Sequence, residues 1–570
     1  MKAQSSNRRS AVSIIIRTLL SALFVFLYFW FDLPPIHLRS PQFWTFLIIS
    51  MIVTALIFSF GGLIRKLRES ATHNRAATVS VPELWAKLKK ASPVFRIMAG
   101  ITVAVIVVFV LSSFIFSPVF CASQYKDLIQ SETGDFAKDV SEISWSQIPV
   151  VDRDSASRLG NRKLGEIDKL VSQFEVAENY TQINFRNKPV RVTPLVYGDI
   201  FKWMRNQSAG IPAYIKVDMV TQEATLENLE SGIKYSEGEY FMRNINRYLR
   251  FRFPTLMYDN LSFEIDEEGT PYWVASTYTY RIGLASGKDC NGAVLVNAIT
   301  GEATRYALGD IPTWVDQVYD SEMVLQQLEY YGAYQSGFWN SVFGQAGVKY
   351  PTDGYNYLAI EDDVWLYTGM TSAGGDESNV GFVLVNLRTK ETKYFSVPGA
   401  EEYSAMSSAE GQEQHLNYTS TFPILLNIED RPTYFMSLKD NAGLVKKYAF
   451  VDVEQYQIVG TGNTVESARE TYLAKLAENN ILTKPDDEPT PDIALEVTGV
   501  IAEIHAVVQN GNTVYYFRLV DDSTIYTASI TQWEMLPFIK AGDTVRFTCA
   551  VDSTAVSAFI SEQNQSIQNG

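Results

Sequence analysis

Residues 293–304 read AVLVNAITGEAT, and the same outline returns at 214–225 (YIKVDMVTQEAT), 382–393 (FVLVNLRTKETK) and 449–459 (AFVDVEQYQIV). Each copy opens with an alternating, β-branched run and reaches an Asp or Asn whose short side chain can bond its own backbone. Polar turn residues and a second strand follow, the pattern of a β-hairpin. Aligned this way, Asp218, Asn297, Asn386 and Asp452 are structural turn residues. Gly301 supplies a positive φ in one copy, whereas Gln222, Lys390 and Tyr456 stand in its place elsewhere, so the other turns are expected to differ.

A further hairpin lies 24 to 31 residues upstream of each copy: INFRNKPVRV from Ile183, FEIDEEGTPYWV from Phe263, LAIEDDVWLY from Leu358 and LLNIEDRPTYFM from Leu425. Two hairpins make an antiparallel meander. Helical stretches are expected between meanders at 238–249, 321–331 and 463–477. The last should open on Asn463 and Glu466 in capping-box spacing and bury Ala468, Tyr472 and Leu476 on one face. A helix against a one-sided sheet gives a two-layer unit, so 181–480 reads as repeated α+β units, preceded by a helical connector at 121–180.

The run VLVNAITGEATRY beside a helix resembles the PepSY-type module, a helix packed on an antiparallel hairpin that occurs in bacterial protease propeptides and cell-envelope proteins. The resemblance implies an envelope setting and the regulation or inhibition of a protease. It implies no catalytic residue.

Toward the C-terminus, 481–492 is a linker rich in proline and acid, too polar and stiff to pack. Residues 493–562 then hold five strand-like runs with turns at Asn510-Gly511-Asn512 and 540–543, the outline of a small all-β, OB-like barrel, and 563–570 reads as a disordered tail.

Toward the N-terminus the composition inverts. Residues 1–120 carry 13 Lys+Arg against 3 Asp+Glu, although the whole chain is at −16. Three apolar stretches, at about 11–31, 43–63 and 97–116, each suffice to cross a bilayer. Arg17 interrupts the first near its start, where it can snorkel to the interface. Eight basic residues crowd the loop 64–96 and only Arg39 occupies 32–42, which places the N-terminus and the longer loop in the cytoplasm and everything beyond about 120 outside. Within that loop, residues 81–89 have the apolar and basic spacing of an interfacial helix lying on membrane lipid.

Chemistry is hard to find. The three cysteines and four histidines have no metal-ligand spacing, the nucleophile-elbow and dinucleotide patterns are incomplete, and no cofactor signature is present. Residues 376–381 suggest a calcium loop but lack its twelfth-position Glu. The acids at Glu361-Asp362-Asp363 and Asp266-Glu267-Glu268 fall on turns. The strong negative charge beyond residue 120 disfavours nucleic acid. Tyr and Trp bunch at Tyr272, Trp273, Tyr278, Tyr280 and at Tyr355, Tyr357, Trp365, Tyr367; those not used in the core would stack on sugars or peptides. The expectation is a non-enzymatic, membrane-anchored binding or scaffolding protein of a bacterial envelope, with a protein, peptide or cell-wall glycan as partner. A protease regulator and an envelope hydrolase are the alternatives.

Overall fold

Three of the four quoted segments turn in the same way. In a computed structural model that describes residues 2–70, 93–142, 148–374, 378–479, 481, 494–509, 512–529, 535–550 and 556–559, Asp218 Oδ1 accepts from the backbone N–H of Val220 and Thr221 (2.8 and 2.9 Å). Asn297 Oδ1 does the same for Ile299 and Thr300, and Asn386 Oδ1 for Arg388 and Thr389, all within 3.0 Å. Each turn then closes through a residue of positive φ, which is Gln222 (62°), Gly301 (76°) or Lys390 (67°). The expectation that only the glycine copy adopts this conformation is therefore wrong: two side-chain bonds and a backbone bond to the Asp or Asn carbonyl hold Gln222 and Lys390 left-handed despite their Cβ atoms. The fourth copy is one residue longer, its Asp452 N–H reaching Ile458 O, and it does differ.

The upstream hairpins are equally tight. Arg186-Asn187 and Glu429-Asp430 have positive φ at both positions, the geometry whose twist matches flanking strands. Joined to the quoted copies they give four antiparallel meanders, each in chain order. The first is Thr181–Phe185, Lys188–Tyr197, Ile211–Asp218 and Ala224–Ile233; the second is Tyr258–Ile265, Pro271–Ile282, Ser286–Asn297 and Ala303–Tyr306. The third is Asn356–Ile360, Asp363–Ser372, Ser378–Asn386 and Thr392–Phe395; the fourth is Ile424–Ile428, Arg431–Lys439, Val445–Asp452 and Val459–Gly462.

Contacts between meanders run in a closed cycle. Phe263 N–H of the second donates to Thr181 Oγ1 of the first (3.2 Å). Val274, Ala293 and Leu295 of the second share a core with Val364, Leu366, Val383 and Val385 of the third. Asn379 Nδ2 of the third donates to Tyr434 OH of the fourth (3.1 Å). Gln222 Nε2, on the first meander's turn, returns to Tyr448 OH of the fourth (2.7 Å). Radial repetition of this kind leaves short, protected sheet edges.

Helices fill the gaps. Arg153–Gly165 is capped by Asp152, Ser321–Ala333 by Asp320, and Ile245–Arg252 by Asn244, each through a side-chain oxygen to a first-turn N–H. The helix expected from 238 begins only at Ile245, because Asn244 is its cap and Phe241–Arg243 is a separate single turn. Val465–Glu478 buries Ala468, Tyr472 and Leu476. Its reciprocal cap is formed by Thr464 and Ser467 rather than Asn463 and Glu466. The connector 121–180 holds helices but also two short strands, Glu132–Gly134 and Phe174–Val176, that extend the third and first sheets.

At the N-terminus, the helices Lys2–Asp32 and Pro41–Ser70 contain windows, Ile14–Asp32 and Pro41–Phe58, long and apolar enough to cross a membrane. A third crossing requires counting Ala99–Ile115 and Pro118–Lys126 together; they meet at 65°, where Pro118 starts a new helix after Ser117. Arg17 donates to Phe58 O (2.9 Å), so its charge is satisfied at the end of the neighbouring window. The meander region rests on the short loop between the first two helices. Ile36 N–H donates to Pro254 O (2.7 Å), Arg250 Nε to Leu33 O (2.8 Å) and Arg39 to Tyr280 O (2.8 Å), while Arg247 stacks over Trp30. Leu284 N–H reaches Ser112 Oγ near the end of the third apolar helix (3.3 Å). The loop 32–42, the exit of that helix and the meanders therefore share one side.

Contacts divide the chain after Glu478. The C-terminal unit is a five-stranded antiparallel sheet in the order Tyr526–Ser529, Asn512–Leu519, Ala494–Gln509, Thr544–Ala550, Val556–Phe559. Its long central strand pairs with one neighbour up to Val500 and with the other from Ile501, around a core of Phe517, Tyr526, Leu536 and Phe547. Among the described residues no ladder joins the two edge strands, so the sheet closes no barrel. The linker 482–492, the loop helix at 81–89, the acids at 376 and 377, the 510–511 turn and the tail 563–570 lie outside the described residues.

Candidate ligand-binding cavity

Among the described residues the first strand of each meander pairs with one neighbour only, and beside the first strands of the first three meanders opens a cavity of about 770 Å³. Its wall takes Gln182 and Arg191 from the first meander, Ser262 and Tyr278 from the second, Tyr357 from the third, and Phe422 from the approach to the fourth. A volume of this size suits a small polar ligand or a few sugar or peptide units.

Local pairing fixes the wall. Gln182 and Arg191 sit opposite each other across the first hairpin, and Arg191 donates to Gln182 Oε1 (3.0 Å). Gln317 Nε2 donates to Gln182 O, and Ser276 Oγ to Gln317 O. Tyr357 OH and Ser321 Oγ share a bond of 2.9 Å, and Asn356 Nδ2 donates to Phe422 O. The wall is rich in amides, hydroxyls and tyrosines with fixed orientation, which can satisfy a polar ligand from several directions.

Several of its acids are occupied. Asp152 meets Lys439 Nζ at 2.7 Å, Asp259 pairs with Lys288, and Asp320 caps a helix. Lys288 also lies over the Tyr278 ring, 4.4 Å from its centroid. Glu237 lines the cavity as well, and burial raises its carboxyl above the usual range despite a bond from Asn246. Burial lowers the Arg191 guanidinium to about 10.

Two further carboxyls lie adjacent to lining residues. Glu264 is fully buried, receiving Ser262 Oγ (2.6 Å) on one oxygen and Asp316 N–H (3.0 Å) on the other, and burial pushes it up to about 7. Asp316 accepts from Asn184 N–H (2.6 Å), and burial together with the Glu264 charge raises it well above a normal aspartate. Its Oδ1 has no partner among the described residues. Burial of two neighbouring acids favours the protonated form of each.

The four turn residues singled out from the repeat are not brought together here. Asp218, Asn297 and Asn386 hold their turns, and none lines the cavity. Asp452 is completely buried, accepting from Gln455 N–H, Tyr472 OH and the Arg431 guanidinium. Asp363 of the run at 361–363 takes two bonds from Arg388, and Asp266 of the run at 266–268 caps its own turn. Of the aromatic bunches, Trp273 and Tyr367 are core, whereas Tyr278, Tyr355 and Tyr357 reach the cavity. Gln182, Arg191, Glu264 and Asp316 escaped sequence reading. The available signal was a polar side chain inside an otherwise apolar strand, as with Arg191 in KPVRV and Glu264 in FEI. Among the described residues no group of His, Cys, Asp and Glu is placed to hold a metal ion.

No protein-family model and no curated protein matches the chain. Among solved structures it is similar to Bacillus subtilis levansucrase and to a mutant of that protein, each at 9% identity over 75% of this chain and 97% of theirs, with TM-scores of 0.16 and 0.18. At such scores the likeness carries no argument about fold or activity.

Proposed function

We propose that this chain is a membrane-anchored binding protein of a bacterial envelope that holds a polar ligand, a glycan or short peptide, in the cavity between its meanders outside the membrane. The observation that carries the reading is the cavity wall itself, where oriented amides, hydroxyls and tyrosines from three meanders converge on about 770 Å³. The outside placement rests on the basic loop 64–96 and on the docking of the meanders against the opposite loop, 32–42. The C-terminal sheet, whose long central strand serves two neighbours, is the OB-like module of this reading and would add a second contact for polymeric ligands.

The test is a titration of the full-length protein in nanodiscs with cell-wall glycan fragments and short peptides. Asn260→Trp serves as a blocked control, because Asn260 is an exposed lining residue. Saturable binding that falls at least tenfold in Asn260→Trp supports the reading; equal binding by both proteins removes the cavity from it.

An envelope hydrolase is the second reading, favoured by the Glu264 and Asp316 carboxyls adjoining the wall residues Ser262 and Gln317. Turnover of a bound glycan or peptide, abolished in Glu264→Gln, would put that reading first.

A further inference from the structure

The polar corner made by the first hairpin is incomplete as it stands. Arg191 is only 7% exposed, yet among the described residues its guanidinium has one side-chain bond, to Gln182 Oε1, and its Nε has no partner. Among the described residues no carboxylate forms an ion pair with it. Gln182, whose oxygen is taken, leaves its buried Nε2 unpartnered in the same wall. Asp152, the acid whose field reaches Arg191, is already committed to Lys439 and to the Ser155 N–H.

A second cation adjoins this corner. Arg153 is exposed in the cavity lining, donates to the Glu178 backbone carbonyl (3.2 Å), and its charge acts against that of Arg191. Two guanidiniums that each meet one neutral oxygen, and an amide N–H left over beside one of them, leave donors unmatched at this corner, where the nearby Asp152 is held by Lys439. Buried donors are nearly always satisfied, so donors left over in a cavity wall call for an acceptor there, a water, an ion or a ligand oxygen. Guanidinium groups match planar or tetrahedral oxyanions through paired N–H bonds.

We propose that Arg191, Gln182 and Arg153 form an oxyanion subsite, so that the ligand of the cavity carries a carboxylate or phosphate group held at this corner. This inference rests on the reading of the cavity as a ligand site. The remaining volume takes the neutral, hydroxylated body of the ligand against the tyrosines. Carboxylate and phosphate share the recognition chemistry, and the probes separate them.

The experiment compares inorganic phosphate, glucuronate, glycerol 3-phosphate and glucose on the full-length protein in nanodiscs, by calorimetry and thermal shift, at low and high salt. The wild type should bind one anionic probe at least tenfold more tightly than glucose, with affinity falling as salt rises. A preference for glucuronate identifies a carboxylate ligand, and a preference for the phosphates a phosphorylated one. Arg191→Gln should lose that preference while melting no lower than the wild type without ligand, since it removes a buried charge that has no counter-ion. Arg158→Gln, at a surface ion pair with Asp154, should change neither. Tight glucose binding with no anion preference would overturn the subsite and leave the cavity reading standing. Anion binding that is unchanged in Arg191→Gln would also overturn it. Failure of every probe here, together with failure of the glycan and peptide panel, would remove the cavity reading itself. Should Arg191→Gln not fold, the wild-type preference for anions over glucose decides alone.

Discussion

Replacing Glu264 by Gln should change how stability depends on pH, and the sign can be worked out. The carboxyl ionises near 4.5 in an unfolded chain and is pushed up to about 7 by burial in the fold. Folding therefore favours its protonated form. The stability this contributes is complete below about 4.5 and is lost as the pH rises through about 7, because the unfolded chain then holds fewer protons than the native one. That difference in pKa corresponds to roughly 3 kcal/mol at full effect. Gln keeps the neutral form at every pH: its oxygen can accept from the Asp316 N–H, and its amide can donate to Ser262 Oγ, which can turn to accept. Glu264→Gln should match the wild type at pH 5 and exceed it at pH 8. At about 2 °C per kcal/mol for a unit of this size, the gap in Tm at pH 8 should be about 6 °C, read by intrinsic fluorescence of the full-length protein in nanodiscs. A variant that melts well below the wild type at pH 8, with the deficit shrinking toward pH 5, would refute the reasoning. It would mean that the hydrogen bonds from Ser262 and Asp316 to the carboxylate outweigh its burial and that the ionised form is the native one.

The four repeat residues should separate by burial. Alanine at Asp218, Asn297 or Asn386 removes two turn bonds and should cost about 0.5–2 kcal/mol, whereas Asp452→Ala also strips Arg431 and Tyr472 of a partner and should cost about 3 kcal/mol; denaturant midpoints would rank them. Gly460→Ala places a Cβ 2.3 Å from the Tyr472 backbone nitrogen, so it should push Val465–Glu478 off its sheet at a cost of about 1–3 kcal/mol and increase hydrogen exchange in that helix. In a Cys121→Ser background, an impermeant maleimide should label Glu429→Cys in intact cells and Lys89→Cys only after permeabilisation; the reverse pattern would invert the topology.

Local chemistry was legible in the sequence where a pattern is periodic. The alternating runs gave the hairpins, the Asp and Asn positions gave the turns, and Ala468, Tyr472 and Leu476 gave the buried helix face, because each depends on residues within a few positions of one another. The conformation of Gln222 and Lys390 was not legible, since a left-handed residue without glycine is sustained by bonds from its neighbours rather than by its own preference. The cavity was less legible still. Gln182 and Arg191 become cavity residues only once the meanders close on one another, and the apolar neighbours of Arg191 in KPVRV mark it as unusual without saying what it faces. Glu264 was overshadowed by the turn acids two to four residues later, although its place in the strand, rather than in the turn, buries it completely.

Native mass spectrometry of the full-length protein, released from its own membranes into nanodiscs, tests the central claim most directly. The wild type should carry a defined additional mass of a polar, anionic compound that exchanges with added ligand. Asn260→Trp and Arg191→Gln, purified identically, should lack it. No additional mass on any of the three proteins, or the same additional mass on all three, would contradict the account.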